Sequence, residues 1–287
     1  MSKTNHSTVM IAGLGGFLLA ALALAPSNAA AATAEPNASA LRVCADPDYL
    51  PFSNRSGQGF ENKVAEVLAH SMGRPIEYHW ASTRVRGGFS NFLADTLDAG
   101  KCDLVMDLPY GDNEEGYTQP YYTSSYVFIQ RKDNNGLITS MSSPDLHGMK
   151  IGYEEDTTPE MALKMFNLTG NVMTFNVAER PGESPEQFLQ AVQSGKIDVA
   201  ITWEPAVGYY LKNYPDLKVH AVPSEQYGPG LPQVGYTYQM AIGVRPKDEA
   251  LKEALDKALD ADKQQIASVL TDYNVKLYKS AEQFTTQ

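Results

Sequence analysis

Two distant stretches of this chain repeat one pattern, and that pattern restricts the fold more than any other feature. Leu97 to Met106 reads LDAGKCDLVM, and Val192 to Ile201 reads VQSGKIDVAI. In each, a helix stops at glycine, a lysine follows, and an aspartate opens an apolar run short enough to be a buried strand. Upstream of the first copy, Leu41–Ala45 is a strand ended by Asp46-Pro47. Phe60, Val64, Val67 and Leu68 recur at helical spacing up to about Met72, where Gly73 and Pro75 stop the helix. Ile76–Trp80 alternates as a second strand, Phe89–Leu97 supplies another helix, and Cys102–Met106 a third strand. Strand, helix, strand, helix, strand is the pattern of a parallel sheet covered by helices, and a 2-1-3 strand order would make the first and third strands neighbours.

The second copy sits in a similar series. Strands are predicted at Tyr126–Ile129, Ile151–Tyr153, Ile197–Ile201, Val219–Val222 and Tyr238–Val244. A turn is expected over Leu146–Lys150 and helices over Pro159–Leu168 and Pro185–Ser194, while Leu251, Leu255, Leu259, Ile266 and Leu270 mark C-terminal helices. The expected fold class is α/β: two lobes, each a doubly wound sheet, joined by a hinge, with the ligand cleft between them. Residues 35–128 with 239–287 form the first lobe in this reading and residues 129–238 the second. One larger doubly wound domain is the alternative.

The N-terminus carries Lys3, an apolar run from Val9 to Leu24, Pro26, and Ala32-Thr33-Ala34. That order predicts a secretory signal peptide over residues 1–34 and export to the periplasm. The run is short for a membrane span and is interrupted by Gly13, Gly15 and Gly16. No cysteine stands at the cleavage site to take a lipid, and no later segment is apolar enough to cross a bilayer. The formal net charge is -11, and cleavage would remove Lys3 and no acid. Such a chain repels nucleic acid and anionic lipid, which need a basic stripe, and suits a basic partner. The two cysteines, Cys44 and Cys102, fall on strands that a 2-1-3 order makes neighbours. In an oxidising compartment they are expected to form a disulfide, two buried thiols being the alternative.

Several segments resemble known proteins. Asp46-Pro47-Asp48-Tyr49-Leu50-Pro51-Phe52 with Gly59-Phe60-Glu61, Thr118-Gln119-Pro120-Tyr121-Tyr122, and Gly195-Lys196-Ile197-Asp198-Val199-Ala200 are similar to type II periplasmic solute-binding proteins over Leu41 to about Tyr278. A narrower resemblance rests on the Cys44 opening with Ser53-Asn54-Arg55, on Ser124-Ser125-Tyr126-Val127-Phe128, on Trp203-Glu204-Pro205, and on Tyr273-Asn274-Val275. These resemble the J proteins of methanol-oxidation gene clusters. The resemblance implies a non-enzymatic periplasmic accessory protein associated with a PQQ-dependent methanol dehydrogenase, calcium- or lanthanide-dependent, and with its cytochrome c. A transporter's receptor for a neutral or aromatic solute and a lyase on the same fold are the other readings.

Amino-acid carriers of the larger family hold the ligand carboxylate with an arginine shortly after the third strand, where its fork donates two parallel hydrogen bonds. Here that stretch runs Pro109 to Glu115 with three acids and no arginine. An acid that holds the ligand ammonium is expected after the second-lobe strand, where this chain has Trp203 and then Glu204. Thr157 and Thr158 precede Pro159 at a helix start whose free amides can take an anion, although Asp156 is expected to cap it. The aromatic rim, with Tyr49, Phe52, Trp80, Tyr110, Trp203, Tyr209 and Tyr210, points to stacking contacts, while Tyr121 and Tyr122 read as core. Arg84 and Arg86 suit an acidic partner. The candidate cleft residues are therefore Asp46, Asp48, Phe52, Trp80, Arg84, Arg86, Tyr110, Thr157, Thr158, Trp203 and Glu204. No catalytic residue, metal site or cofactor is expected: the histidines are scattered singly, and no H-E-x-x-H, G-x-S-x-G or phosphate loop is present. A hard-cation site at Asp46, Asp48, Asp112, Glu114 and Glu115 ranks below solvated charge.

Overall fold

A computed structural model describes residues 39–278 apart from 85–87, 112–115, 135, 137, 178–179, 181 and 231–232. The expected signal segment, Arg86, and the acids Asp112, Glu114 and Glu115 lie outside the described residues. Among the described residues no helix is long and apolar enough to cross a membrane.

The first three main strands are β1 (Leu41–Ala45), β2 (Ile76–Trp80) and β3 (Leu104–Pro109), all parallel in the order β2-β1-β3. Helices α1 (Phe60–Ser71) and α2 (Gly88–Leu93) make the crossovers, α2 running on into a π-helical turn over Ala94–Asp98. The entry to α1 is a close contact. A Cβ on Gly59 would stand 1.9 Å from the Phe52 carbonyl oxygen, so only glycine fits. The Asn62 side chain accepts the Gly59 and Asn54 amides at 3.2 and 3.0 Å, satisfying donors that the helix start would otherwise strand. Phe52 and Phe60 are thereby held against each other, ring centroids 5.2 Å apart.

The remaining strands longer than two residues are β4 (Tyr122–Arg131), β5 (Ile151–Glu154), β6 (Val172–Phe175), β7 (Val199–Trp203), β8 (Leu217–Ala221) and β9 (Thr237–Val244). The helices among and after them are α3 (Thr158–Met165), α4 (Glu186–Gln193), α5 (Glu204–Gly208), α6 (Glu249–Ala261) and α7 (Lys263–Asp272). Strand β4 is longer than its apolar run predicts because it serves two partners in succession. Tyr122–Ser125 pair with β9, while Tyr126–Arg131 pair with β7 and β8. The two expected sheets are therefore joined through β4 in one path, β2-β1-β3-β9-β4-β7-β5-β6. Beyond β4 both faces are covered. Val127 and Ile129 pack with Phe188 and Leu189 of α4, while Phe128 packs with Ile151 and Leu163 on the other side.

The repeated motif has a structural meaning. Both strands begin two residues later than their apolar runs predict, at Leu104 and Val199, because the preceding aspartate bonds to the neighbouring chain segment through both side chain and backbone. The Asp103 and Asp198 carboxylates accept the Arg42 and Lys150 amides at 3.2 and 2.8 Å. Their own amides donate to the Arg42 and Lys150 carbonyls, each at 2.8 Å. Asp103 also pairs with the Arg42 and Arg245 guanidinium groups. The predicted disulfide is present: Cys102, just ahead of β3, is bonded to Cys44 of β1 with their Cα atoms 5.5 Å apart. We expect Asp198→Ala to lower unfolding free energy by about 1–2 kcal/mol, since it strands a partly buried amide. Asp103→Ala should cost more, because Arg42 loses its carboxylate partner and Arg245 keeps only Asp248, and urea titration of both variants checks the order.

Candidate functional site

The C-terminal ends of β1 and β3 and those of β5 and β7 face one another across a cavity of about 530 Å3. Its walls are aromatic. From β7, Trp203 packs edge-on against Tyr126 of β4 and Tyr238 of β9, with centroids 5.3 and 6.0 Å away. On the other side Tyr49 stacks on Phe52 at 4.9 Å. The charged residues among the described lining are Asp107, Glu154 and Asp156, with no lysine, arginine or histidine. A smaller annex of about 110 Å3 adjoins the cleft and shares Tyr49, Phe52 and Asp107 with it. Asp46 and Glu61 line the annex as well.

Two carboxyls meet at that boundary. Asp107 stands in the left-handed region at φ 65 and accepts a short hydrogen bond from the Tyr122 hydroxyl. Burial holds its carboxyl well above the usual range, the Tyr122 bond opposing this only in part. The Glu61 carboxyl is enclosed, although the residue keeps some exposure, and it too is pushed up, first by burial and then by the charges of Asp107 and Asp46. Tyr49 shifts the same way, through burial and the nearby Glu154.

Of the residues singled out in the sequence, Phe52, Thr157, Thr158 and Trp203 line the cleft. Thr158 reaches across it, its hydroxyl 2.8 Å from that of Tyr238. The start of α3 differs from expectation: its N-cap is Thr157, whose hydroxyl donates to the Glu154 carbonyl at 2.6 Å, and no side chain caps the helix amides. Asp156 sits at φ 56, and its amide instead donates to Glu160 in the first turn at 2.8 Å. Asp46 is buried beside the annex with its oxygens engaged by Ser82, Thr83 and the Asp48 amide. Asp48 points into solvent. Trp80 stacks on Tyr78 at 4.6 Å beneath the Arg55 guanidinium, and Tyr110 is half exposed against Tyr117. Neither lines the cleft.

Arg84 is not solvated but buried, 3 % exposed. From the loop after β2 it donates to the carbonyls of Arg180 and Glu183, between β6 and α4, at 3.1 and 3.2 Å, and to the Asp48 carbonyl. Its guanidinium also lies 3.8 Å from Asp46 and 5.1 Å from the Tyr49 ring centre. It therefore ties the two sides of the cleft together by hydrogen bonds to main chain. Arg84→Met leaves Asp46 without its counter-charge and should cost at least about 3 kcal/mol in urea unfolding.

Glu204 lies beneath the cleft, wholly buried, where β7 passes into α5. One oxygen accepts the Ser124 hydroxyl and the Lys276 amide, both at 3.3 Å, and the other has no hydrogen-bond partner. Burial raises its pKa from 4.5 to about 7, outweighing the Lys276 amide and charge and the Ser124 hydroxyl. A raised carboxyl makes the folded state hold its proton more tightly than the unfolded one. That contribution is complete below pH 4.5 and is lost as pH climbs to about 7. Glu204→Gln should therefore gain on the parent as pH rises from 4.5 to 8, by at most about 3 kcal/mol. Thermal unfolding at both pH values measures the difference.

Tyr126, Tyr238, Asp107, Glu61 and Glu154 belong to the site and were not singled out as candidates for it. Asp107 carried a visible signal, since it is a lone acid inside the apolar run Leu104–Leu108. The others share the site only because β4, β5, β9 and α1 converge.

Comparison with known proteins agrees with this architecture. Residues 41–270 match the family described as bacterial extracellular solute-binding proteins, family 3. The protein MoxJ of Methylorubrum extorquens is 30 % identical over 267 residues, which span 87 % of this chain and 85 % of that protein. Among solved structures, MxaJ from Methlophaga aminisulfidivorans superposes with a TM-score of 0.73 at 29 % identity, covering 83 % of this chain and all of that one. The periplasmic binding protein XoxJ from Methylobacterium extorquens gives 0.67 at 29 % identity, covering 84 % of this chain and all of that one.

Proposed function

Because the chain belongs to the family 3 bacterial extracellular solute-binding proteins, in the branch of the J proteins, we propose that it is a periplasmic accessory protein of methanol oxidation that docks on a PQQ-dependent methanol dehydrogenase. The observation that carries this reading is the likeness to MoxJ, which runs through nearly the whole of both chains. The cleft supports it by what its described lining lacks. An amino-acid carrier needs a cation for the ligand carboxylate, and the charges that line this cleft are all acidic. The net charge of -11 favours a basic partner surface by long-range attraction. Residues 35–128 with 239–287, and residues 129–238, are in this reading the two bodies that meet at the cleft. In this reading the chain acts by binding and not by catalysis.

Export through the N-terminal segment is part of the same reading. Affinity capture from methanol-grown cells should recover the dehydrogenase, in amounts that fall as salt is raised, since charge attraction between the partners is screened. A strain lacking this gene should lose dehydrogenase activity. Capture that recovers no dehydrogenase, together with intact activity in that strain, would refute the proposal and favour a solute receptor, for which the preformed cavity is suited.

A further inference from the structure

Among the described residues, the charged groups that line the cleft and its annex are all carboxylates, and that sign points to the class of ligand. A cavity of about 530 Å3 lies within the range of small-molecule sites. Trp203, Tyr126 and Tyr238 line one side and Tyr49 and Phe52 the other. Aromatic faces carry the negative end of the ring quadrupole, so each is attractive to a cation and repulsive to an anion. Asp107 stands where the cleft opens into the annex, and Asp46 and Glu61 line the annex itself. The nearest described guanidinium, Arg84, lines neither space and is occupied by Asp46 and three carbonyls.

The annex has room for a charged head group. Its carboxylates do not form a metal-ligand cluster among the described residues, which leaves an organic cation as the complement. Burial raises the pKa of the Asp107 and Glu61 carboxyls, and a cation beside them offsets that penalty and favours the ionised form of both. The start of α3 is a feature of opposite polarity. Its first-turn dipole is countered by Asp156 and Glu160 at the same end, which makes it a poor seat for a carboxylate.

We propose that the cleft binds an organic amine or methylated ammonium that carries no carboxylate, with its charged head at Asp107 and Glu61 and its apolar body between Trp203 and Tyr49. This goes beyond docking on a dehydrogenase and does not depend on it.

Four probes of one shape test the charge requirement by calorimetry at pH 8: phenethylamine, 2-phenylethanol, 3-phenylpropionate and L-phenylalanine. Phenethylamine should bind at least about tenfold more tightly than each of the others. Asp107→Asn preserves tolerance of a positive φ and an acceptor for the Tyr122 hydroxyl, and should weaken phenethylamine at least about tenfold. Asp95→Asn, an exposed site away from the cleft, should leave affinity unchanged. The chain has two tryptophans, so in a Trp80→Phe background the emission of Trp203 should change saturably with phenethylamine, a readout that does not require the Asp107 variant to fold. Equal binding of the alcohol, tighter binding of either carboxylate, absence of binding by phenethylamine, or an unchanged affinity in Asp107→Asn would each overturn the proposal. None of these outcomes bears on capture of the dehydrogenase, so the two proposals fail separately.

Discussion

The structure depends on the backbone pairing of one strand. Every buried amide and carbonyl of β4 needs a partner, and the strand meets that need by bonding first to β9 and then to β7 and β8. The change of partner between Ser125 and Tyr126 is what joins the two expected sheets into one path. It also places the ends of β1, β3, β5 and β7 around a common space. The C-terminal segment reinforces the junction, with the Tyr278 amide donating to Thr123, the Lys276 amide to Glu204, and the Asn274 side chain to the Gly208 carbonyl. The junction is thus held by β9, β7, β8 and the C-terminal segment, through main-chain and side-chain bonds.

Around that junction acids are concentrated where water is scarce. Glu204 lies below the cleft, Asp107 and Glu61 at its annex, and Glu154 in its wall. Burying carboxylates is costly: burial raises the pKa of Asp107, Glu61 and Glu204, and hydroxyl and amide donors offset part of the cost at Asp107 and Glu204. Arg84 is the exception: it is buried, but spent on Asp46 and on the carbonyls that bridge the cleft. The cavity consequently meets a ligand with carboxylates and aromatic faces, a different surface from the arginine fork that grips an amino acid.

Much of this was legible in the chain itself. The repeated Gly-Lys-x-Asp pattern announced both α/β units, and the aspartates turned out to bond to the segment beside each new strand. Helix α1 and strands β1 and β2 lie where their periodicity put them, and the cysteine pair is joined as their strand placement predicted. Trp203, Phe52, Thr157 and Thr158 stand in the cleft. Trp80 and Tyr110 do not, because a ring at the end of a strand is indistinguishable in sequence from one turned to a neighbour, and Tyr78 and Tyr117 took up those contacts. Arg84 looked like a loop charge because the carbonyls that bury it come from residues about a hundred positions away.

Local pattern therefore determined most of the elements, their order and the family, since hydrophobic period, glycine stops and turn residues act over a few neighbouring positions, but it did not reveal strand β6 or the short helix α5. Tertiary structure alone decided which acids share a cavity, that Arg84 bridges it, and that one strand serves both sheets. Those outcomes depend on burial and pairing between segments far apart in the chain, and a carboxylate's charge state is set by the neighbours that folding brings to it.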